Sequence, residues 1–333
     1  SMKIAKILGT KDSIRPLLAT ELVIMQRIFE QNIANVSNCP ALLVTDCSYL
    51  QQEAALWFEM MKKRGMQVDV IVLDEMSRSG EEPPLQVVEL ARRAKLTVLH
   101  TSYSLTHTSA GRAGRENDGI VVSLPGVDYA LFIRLMSANY SDINSLGIQL
   151  QAYMSAAKTI KISSESGTNL FARIRKNHVI NDGGILTAGE LGNLPAGEVF
   201  FAPIENSIVG TWIINGSLAD DTLELPIQLQ IENGKVIKIS GDAVAKRLEN
   251  KLLALGELAF QVAEIGIGTN KLANPAGILI EAEKAYGTAH LAVGNNSSFG
   301  GTNAVPIHID GLTLQPTIWL DSRKVIEGGK FII

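Results

Sequence analysis

Residues 41–73 decide the fold of the first half of this chain. They begin with the apolar run Ala41-Leu-Leu-Val-Thr45, continue with helical periodicity from Gln51 to Lys63, and end with Val68-Asp-Val-Ile-Val-Leu73. Short apolar runs on either side of a helix indicate buried parallel strands that are joined by right-handed crossovers. The first half is therefore predicted to be an α/β domain with a mainly parallel sheet.

The same alternation continues along the chain. A helix that has a proline near its start is predicted from Pro84 to Ala94, and further strands at Leu96–His100 and Ile120–Leu124. A long apolar helical tract then runs from Tyr129 toward Ala157. No Gly-x-Gly-x-x-Gly lies between a strand and a helix, and no Walker sequence occurs. The first half therefore lacks the phosphate-binding motifs that a nucleotide-binding function would need.

The pattern changes from about Lys158, where short β-like runs are separated by Gly, Asn and Pro turns. These runs are Ile160–Ser163, Glu198–Ala202, Gly210–Ile214, Ile227–Ile231 and Lys235–Ile239. Glu232-Asn-Gly234 is typical of a hairpin turn, and helical segments are predicted at Ala243–Leu255 and Ala276–Ala285. We predict two domains, an α/β domain over 1–157 and an α+β, β-rich domain over 158–333.

Composition excludes several classes of protein. Hydrophobic residues make up 46% of the chain and charged residues 19%, so the chain can form a sizeable core and is not mainly disordered. The net charge is −4 and no basic stripe is present, which argues against nucleic acid as a partner. Cys39 and Cys47 are too few for a disulfide framework or a four-thiolate zinc site. With no signal-peptide pattern and no apolar run of about 20 residues, we expect a cytoplasmic protein without a membrane span.

The stretch Val305-Pro-Ile-His308-Ile-Asp310 carries the first chemical signal. Side chains alternate across a strand, so His308 and Asp310 point to the same face if this segment is a strand. An imidazole and a carboxylate on one face are half of a metal site. The pair alone is a weak signal, because most such pairs only form surface hydrogen bonds.

Three further residues are candidates, and each has a simpler explanation. Glu198 opens a predicted strand, where a solvated carboxylate is common. Glu264 lies in the small, apolar run Ala263-Glu-Ile-Gly-Ile-Gly268, where burial of an unpaired carboxylate would be costly, although an edge strand would leave it in solvent. His290 lies among small and apolar residues, where a core histidine is the more common outcome.

Taken together, the five residues supply oxygen and nitrogen ligands and no thiolate, which suits zinc, cobalt, manganese or iron. They are Glu198, Glu264, His290, His308 and Asp310. Three carboxylates and two imidazoles can hold two divalent ions if one carboxylate bridges them. Two such ions can polarise a carbonyl, activate a water and stabilise a tetrahedral intermediate. Spacing alone does not establish that the five residues converge.

The order and settings of these residues resemble the aminopeptidase T/aminopeptidase S family of metallopeptidases. The similar segments are Asn193–Pro203 around Glu198, Ala263-Glu264, His290-Leu-Ala-Val-Gly294, His308-x-Asp310 and Glu165-Ser-Gly-Thr-Asn-Leu170. The resemblance implies a two-domain protein, usually a homodimer, that removes N-terminal residues from peptides. It also implies a dinuclear site for zinc, cobalt or manganese, in which all five residues bind metal and Glu264 bridges.

Two departures point to a second relative. The aminopeptidases carry a tyrosine where this chain has Ser297, and the loop before His308 is trimmed here. The loop from Gly294 to Gly301, followed by Pro306-Ile-His-Ile-Asp310, resembles the dihydroxypyridine ring-cleaving dioxygenase, which uses one iron. That enzyme has a histidine at the position of Glu264 and no counterpart of His290. An Fe(II) triad could still be made from His290, His308 and Asp310.

These resemblances give three hypotheses. The first is a metal-dependent aminopeptidase-like hydrolase, in which a metal-activated water attacks the peptide and Glu198 or Glu264 moves the proton. The alternative is a mononuclear iron dioxygenase that cleaves a hydroxylated pyridine or related aromatic ring. A second alternative, motivated by Ser297, is a metal-binding homologue without catalysis. Each hypothesis expects a small peptide or small molecule as its ligand.

Overall fold

The computed structural model describes residues 2–74, 76–219, 221 and 223–333. The elements up to residue 156 are β1 (Ile4–Gly9), α1 (Ala19–Gln31), β2 (Pro40–Asp46), α2 (Glu53–Lys63), β3 (Gln67–Leu73), α3 (Leu85–Arg93), β4 (Leu96–His100), α4 (Ser109–Gly114), β5 (Ile120–Ser123), α5 (Tyr129–Met136) and α6 (Tyr140–Ala156). The later elements are β6 (Thr159–Ser163), β7 (Asn169–Arg173), β8 (Val179–Asp182), β9 (Leu191–Asn193), β10 (Glu198–Phe201), β11 (Val209–Ile214), β12 (Ile227–Glu232), β13 (Lys235–Ser240), α7 (Ala243–Leu255), β14 (Val262–Gly268), α8 (Leu279–Ala282), β15 (Ala289–Gly294), β16 (His308–Thr313), β17 (Thr317–Leu320), β18 (Arg323–Glu327) and β19 (Lys330–Phe331).

Contacts group the chain into two compact units. The first unit comprises residues 1–141 and 184–196, and the second comprises 142–183 and 197–333. The domain boundary between residues 157 and 158 stays a prediction. Across the described part of the chain, no helix combines the length and the apolar character that a membrane crossing requires.

The first unit is built on a mixed sheet with strand order β1-β3-β2-β4-β5-β9. Strands β3, β2, β4, β5 and β9 run parallel, and β1 pairs antiparallel with β3 at the edge. All residues of β4 and β5 are buried, as expected for parallel strands that are covered on both faces. The α/β character of this half is confirmed.

Two predicted helices differ from the observed ones. The tract from Tyr129 toward Ala157 is broken into α5 and α6, because the side chain of Asn139 accepts a hydrogen bond from the Ser141 amide (3.1 Å) and starts a new helix there. The helix predicted over Ala276–Ala285 shrinks to the single turn α8. The last residues of the predicted helix form hydrogen bonds with another segment instead, since the Lys284 carbonyl accepts from the Asn270 amide (2.9 Å).

The second unit contains two antiparallel sheets. Their strand orders are β13-β12-β11-β7-β6-β17-β18-β19 and β16-β15-β14-β10-β8. The predicted hairpin turn is present between β12 and β13, with positive φ at Asn233 and Gly234, as a two-residue hairpin turn requires. One apolar cluster combines Trp212 of β11 with residues of the other sheet, among them Phe201, Ile265 and Leu291.

That cluster occupies one face of the sheet β16-β15-β14-β10-β8. From the strands β10, β14, β15 and β16 it includes the odd-numbered residues Val199, Phe201, Ile265, Ile267, Ala289, Leu291, Val293 and Ile309, together with Val262, which precedes a register shift in β14. Because side chains alternate along a strand, the even-numbered residues point to the opposite face. The core of the second unit thus fixes which side of the sheet carries the polar residues.

A histidine in the first unit gives a test of this part of the fold. His100 is fully buried at the end of β4, where Nε2 donates to the Val127 carbonyl (2.7 Å) and Nδ1 accepts from the indole of Trp57 (3.2 Å). Burial lowers the pKa of His100 to about 4, although the bond to Val127 opposes this shift. The neutral ring is therefore the form that fits the core.

Folded His100 binds its proton more weakly than the unfolded chain does, so this group destabilises the fold as pH falls from about 6.5 toward 4. Between pH 7 and pH 5, His100 is expected to lower the free energy of unfolding by about 2 kcal/mol. Denaturant unfolding at both pH values should show that the free energy of unfolding decreases less between pH 7 and pH 5 in His100→Gln than in the wild type. The exposed His107→Gln is the matched control, and an unchanged pH dependence in His100→Gln would contradict the expectation.

Candidate metal centre

Five polar side chains lie on the face of the sheet that is opposite the core. Glu198 comes from β10, Glu264 from β14, His290 from β15, and His308 and Asp310 from β16. Glu264 pairs with Ala292, and Ala292 pairs with Asp310, so these positions lie side by side across three strands. Residues paired directly across strands share a face. The strand register therefore brings the five residues together. Strand β14 lies in the centre of the sheet, so the alternative that Glu264 lies on a solvent-exposed edge strand is wrong.

Small residues between the polar ones make the convergence possible. His290 pairs with Gly266, and a Cβ at residue 266 would lie 2.0 Å from Nε2 of His290. The imidazole therefore lies over β14 and reaches Glu264 of that strand and Glu198 of the neighbouring strand β10. Ala292 similarly leaves room between Glu264 and Asp310. The apolar, glycine-rich composition of this segment is explained by the space that the polar side chains occupy.

The side chains form a continuous chain of contacts. Nε2 of His290 lies 3.1 Å from Oε2 of Glu198 and 3.3 Å from Oε1 of Glu264. Nε2 of His308 lies 3.6 Å from Oε2 of Glu264 and 3.4 Å from Oδ2 of Asp310. The two oxygens of Glu264 thus face two different imidazoles. All members are buried except His308, whose side chain is 32% exposed and marks the open side of the cluster.

Two groups of potential ligands result, and Glu264 belongs to both. Glu198, Glu264 and His290 have ligand atoms within 4.8 Å of one another, and so do Glu264, His308 and Asp310. The iron triad of His290, His308 and Asp310 that the sequence suggested is not among the groups formed by the described residues. Glu264 is therefore the residue that would complete a single-ion site with His308 and Asp310, and the metal role of each residue remains a prediction.

These residues fit a divalent cation. Metal bonds of about 2.0–2.2 Å place neighbouring ligand atoms about 3.0–3.5 Å apart, which is close to the separations observed around His308. Among the described residues, Oε2 of Glu198 and Oδ1 of Asp310 are buried oxygens without a hydrogen bond. Buried acceptors of this kind are costly unless a cation or a donor satisfies them. The donor set of oxygen and nitrogen suits iron, manganese, cobalt or zinc.

Without a metal, protons and an ammonium group balance the carboxylates. Burial alone would lower the pKa of His308, but the charge of Asp310 and their hydrogen bond raise this pKa to about 10. Burial likewise opposes protonation of His290, yet the bonds to Glu198 and Glu264 raise its pKa well above the usual range. Burial raises the pKa of Glu264, against the pull of both imidazoles. Metal binding at these groups must therefore release protons.

The loop after β15 orients His308. Nδ1 of His308 donates to the Asn295 carbonyl (2.8 Å), which leaves Nε2 facing Glu264 and Asp310. A hydrogen bond from the second ring nitrogen to a carbonyl is typical of metal-binding histidines. Nδ1 of His290, by contrast, has no hydrogen-bond partner in the described part of the protein. His308 is therefore oriented for metal binding, and His290 lacks this support.

The same loop brings an aromatic ring to the open side of the cluster. The rings of Phe299 and His308 are 6.0 Å apart and nearly perpendicular, and Phe299 also packs edge-on against Phe200 at 5.6 Å. Ser297, which stands where the aminopeptidases have a tyrosine, is exposed and bonds to the side chain of Asn295 (2.9 Å). The loop thus presents aromatic surface beside His308.

Sequence reasoning missed Lys284 and Glu283. Nζ of Lys284 lies 2.9 Å from Oε1 of Glu198 and 2.5 Å from Oε1 of Glu283, and the lysine side chain is only 1% exposed. The charges of Glu198 and Glu283 outweigh burial and raise the pKa of Lys284 well above its ordinary value. Burial raises the pKa of Glu283 to about 7 even though Lys284 opposes that shift. The sequence predicted a helix over Ala276–Ala285, and charged residues in such a helix are expected to face solvent.

Known proteins show similarity to the sequence and to the fold. The family model for 2,5-dihydroxypyridine 5,6-dioxygenase (NicX) matches residues 79–333. The structure of 2,5-dihydroxypyridine dioxygenase from Pseudomonas putida KT2440 is similar with a TM-score of 0.81 and 17% identity, covering 95% of this chain and 98% of that one. Wild-type AmpT from Thermus thermophilus has a TM-score of 0.68 and 14% identity, covering 94% and 99%. No curated protein sequence matches the chain.

The family match places the protein among enzymes, and its clustered side chains form two groups that could hold a metal ion. Because the family model spans most of the sequence, the chain belongs to the 2,5-dihydroxypyridine 5,6-dioxygenase (NicX) family. Both resemblances seen in the sequence are thereby confirmed. The findings favour the dioxygenase over the hydrolase that was the first hypothesis.

Proposed function

We propose that this protein is a mononuclear Fe(II) dioxygenase that cleaves the ring of a hydroxylated pyridine or a related hydroxylated aromatic. The observation that carries the proposal is the family match over residues 79–333, which includes all five clustered side chains. The group of Glu264, His308 and Asp310 supports it, because three ligands from one imidazole and two carboxylates are enough for one iron.

In this proposal Glu264, His308 and Asp310 would hold the iron. Bound Fe(II) would supply the redox chemistry that allows O₂ to react with a closed-shell ring. A dioxygenase adds both atoms of O₂ to the ring substrate, so the reaction needs no further reductant. The set here contains one histidine and two carboxylates, which departs from the two-histidine, one-carboxylate triad.

The surrounding residues bind and orient the substrate. Phe299 and the exposed edge of His308 offer an aromatic wall against which a flat ring can pack. On the buried side, His290 holds a proton at Nε2 between Glu198 and Glu264. A hydroxyl of the substrate that enters the cluster therefore meets carboxylates able to accept its proton. Polar groups on one side and an apolar wall on the other select a hydroxylated ring.

Oxygen uptake tests the proposal. The purified protein, loaded with Fe(II) under anaerobic conditions, is mixed with 2,5-dihydroxypyridine and then with air-saturated buffer. One O₂ should be consumed for each ring whose absorbance is lost. Asp310→Asn should reduce the rate at least about 1000-fold, because a ligand and a charge are removed together. If the iron-loaded protein consumes no O₂ with any of a panel of dihydroxypyridines and catechols, the proposal is wrong.

One observation favours a second candidate, the aminopeptidase-like hydrolase. The two oxygens of Glu264 face His290 and His308 separately, which is the arrangement of a carboxylate that bridges two ions. This function would be supported by two equivalents of zinc, cobalt or manganese together with hydrolysis of aminoacyl amides. Binding of one ion without amide hydrolysis would exclude it.

A further inference from the structure

Lys284 is the one buried ammonium group among the described residues that contacts the five-residue cluster. It contributes no ligand atom to a metal, because a protonated lysine donates three hydrogens and accepts none. Within the described residues, Lys284 forms an ion pair with one member of the five, Glu198, and with Glu283, which lies outside the five. Its position on the Glu198 side of the cluster gives that side a permanent cation.

The backbone holds Lys284 in this place. A Cβ at residue 268 would lie 2.1 Å from the Ala285 carbonyl, so Gly268 allows the segment after α8 to cross the sheet closely. The Lys284 carbonyl accepts from the Asn270 amide (2.9 Å), and the Lys284 amide donates to the Glu281 carbonyl (3.0 Å). Glu198 pairs with Gly268 in the sheet. The crossing segment therefore passes next to Glu198.

Each oxygen of Glu198 faces a nitrogen atom in this arrangement, although Oε2 receives no hydrogen bond among the described residues. Oε1 contacts the ammonium group of Lys284 and Oε2 faces Nε2 of His290 (3.1 Å). A divalent ion bound by Glu198, Glu264 and His290 would lie beside that ammonium group in a buried site, where like charges repel strongly. Among the described residues, no lysine or arginine side chain has an ion pair with Glu264, His308 or Asp310, and the imidazole of His290 is the group that contacts Glu264 from the Glu198 side. The two ligand groups thus differ in the charge around them.

We propose that Lys284 takes the place of a second metal ion, so that Glu198 pairs with the lysine and the protein holds one divalent ion on Glu264, His308 and Asp310. This inference rests on the proposed single-iron function and adds the residue that sets the metal stoichiometry. Removal of the lysine charge should therefore open the group of Glu198, Glu264 and His290 to a second ion.

The number of bound ions can be measured with Mn²⁺, and this measurement does not depend on turnover. The full chain is titrated with Mn²⁺, bound metal is quantified by elemental analysis, and electron paramagnetic resonance distinguishes an isolated ion from a coupled pair. Wild type should bind one isolated Mn²⁺. Lys284→Met, whose side chain is one atom shorter and carries no charge, should bind two coupled ions. Lys284→Arg is the matched control that keeps the charge, and it should bind one.

If Lys284→Met does not fold, the variant Glu198→Gln provides an independent test of the inference. Glu198→Gln should keep one Mn²⁺ and lose less than about tenfold in affinity, because the proposal gives Glu198 no metal bond and connects it to Glu264 only through His290. A loss of more than about 100-fold in this variant would identify Glu198 as a ligand and overturn the inference.

The outcomes separate this inference from the proposed function. One Mn²⁺ in both wild type and folded Lys284→Met overturns the role of Lys284 and leaves the dioxygenase proposal intact. Two Mn²⁺ in wild type overturn both. One ion in wild type and two in Lys284→Met support the inference, whatever the oxygen-uptake experiment shows.

Discussion

His308→Ala is expected to abolish metal binding and to lower turnover at least about 1000-fold. His308 is the imidazole whose second nitrogen is held by a backbone carbonyl, so its Nε2 is aimed at Glu264 and Asp310. Without it, two buried carboxylates face each other with no shared nitrogen ligand. Elemental analysis of the purified variant and oxygen uptake measure the two losses.

The matched control is His178→Ala, which removes an exposed histidine from the same unit. It should bind metal and turn over like the wild type. Circular dichroism should show that His308→Ala is folded, since His308 is partly exposed and lies at the start of β16. Retention of a full metal equivalent in folded His308→Ala would mean that the ion lies elsewhere in the protein.

Glu264→Gln is expected to lower metal affinity more than about 1000-fold, whereas His290→Gln should lower it only about 10- to 100-fold. Glu264 belongs to the group that contains His308 and Asp310, so the change removes a ligand charge. His290 would affect the same ion only through its contact with Oε1 of Glu264 (3.3 Å), and loss of a group that contacts a ligand rather than the metal has the smaller effect. Competition with a chromogenic chelator measures both affinities.

The contrast between these two variants distinguishes one ion from two. A dinuclear site would use His290 as a direct ligand, so Glu264→Gln and His290→Gln would then each remove metal to a similar extent. Equal, large losses in the two variants would therefore argue for the hydrolase. A tenfold or larger gap between them would agree with the single-ion site.

Much of the architecture could be read from residue patterns. The runs around residues 41–73 gave strands and a helix within two residues of the observed ones, because their hydrophobic periods are those of buried strands and amphipathic helices. The hairpin turn at Asn233 and Gly234 was equally clear, since few residues tolerate its positive φ values. Local conformational preference was sufficient in these segments.

The candidate ligands could also be found in the sequence, but their grouping could not. His308 and Asp310 share a strand, so their common face follows from the two-residue period. Glu198, Glu264 and His290 lie on three other strands, and their approach depends on strand register and on the space above Gly266. For that reason the triad of His290, His308 and Asp310 was predicted, whereas the structure completes the β16 pair with Glu264.

Residue type and short-range periodicity were enough to predict the α/β beginning, the β-rich continuation and five candidate oxygen and nitrogen ligands. The burial of Lys284 against Glu198, by contrast, is visible only in the folded chain. A lysine in the sequence Glu281-Ala-Glu-Lys284 ordinarily lies in solvent, and its burial depends on a chain crossing that Gly268 permits from another strand. Charge balance within a site is a property of contacts between distant segments, so it appears only when the chain is folded.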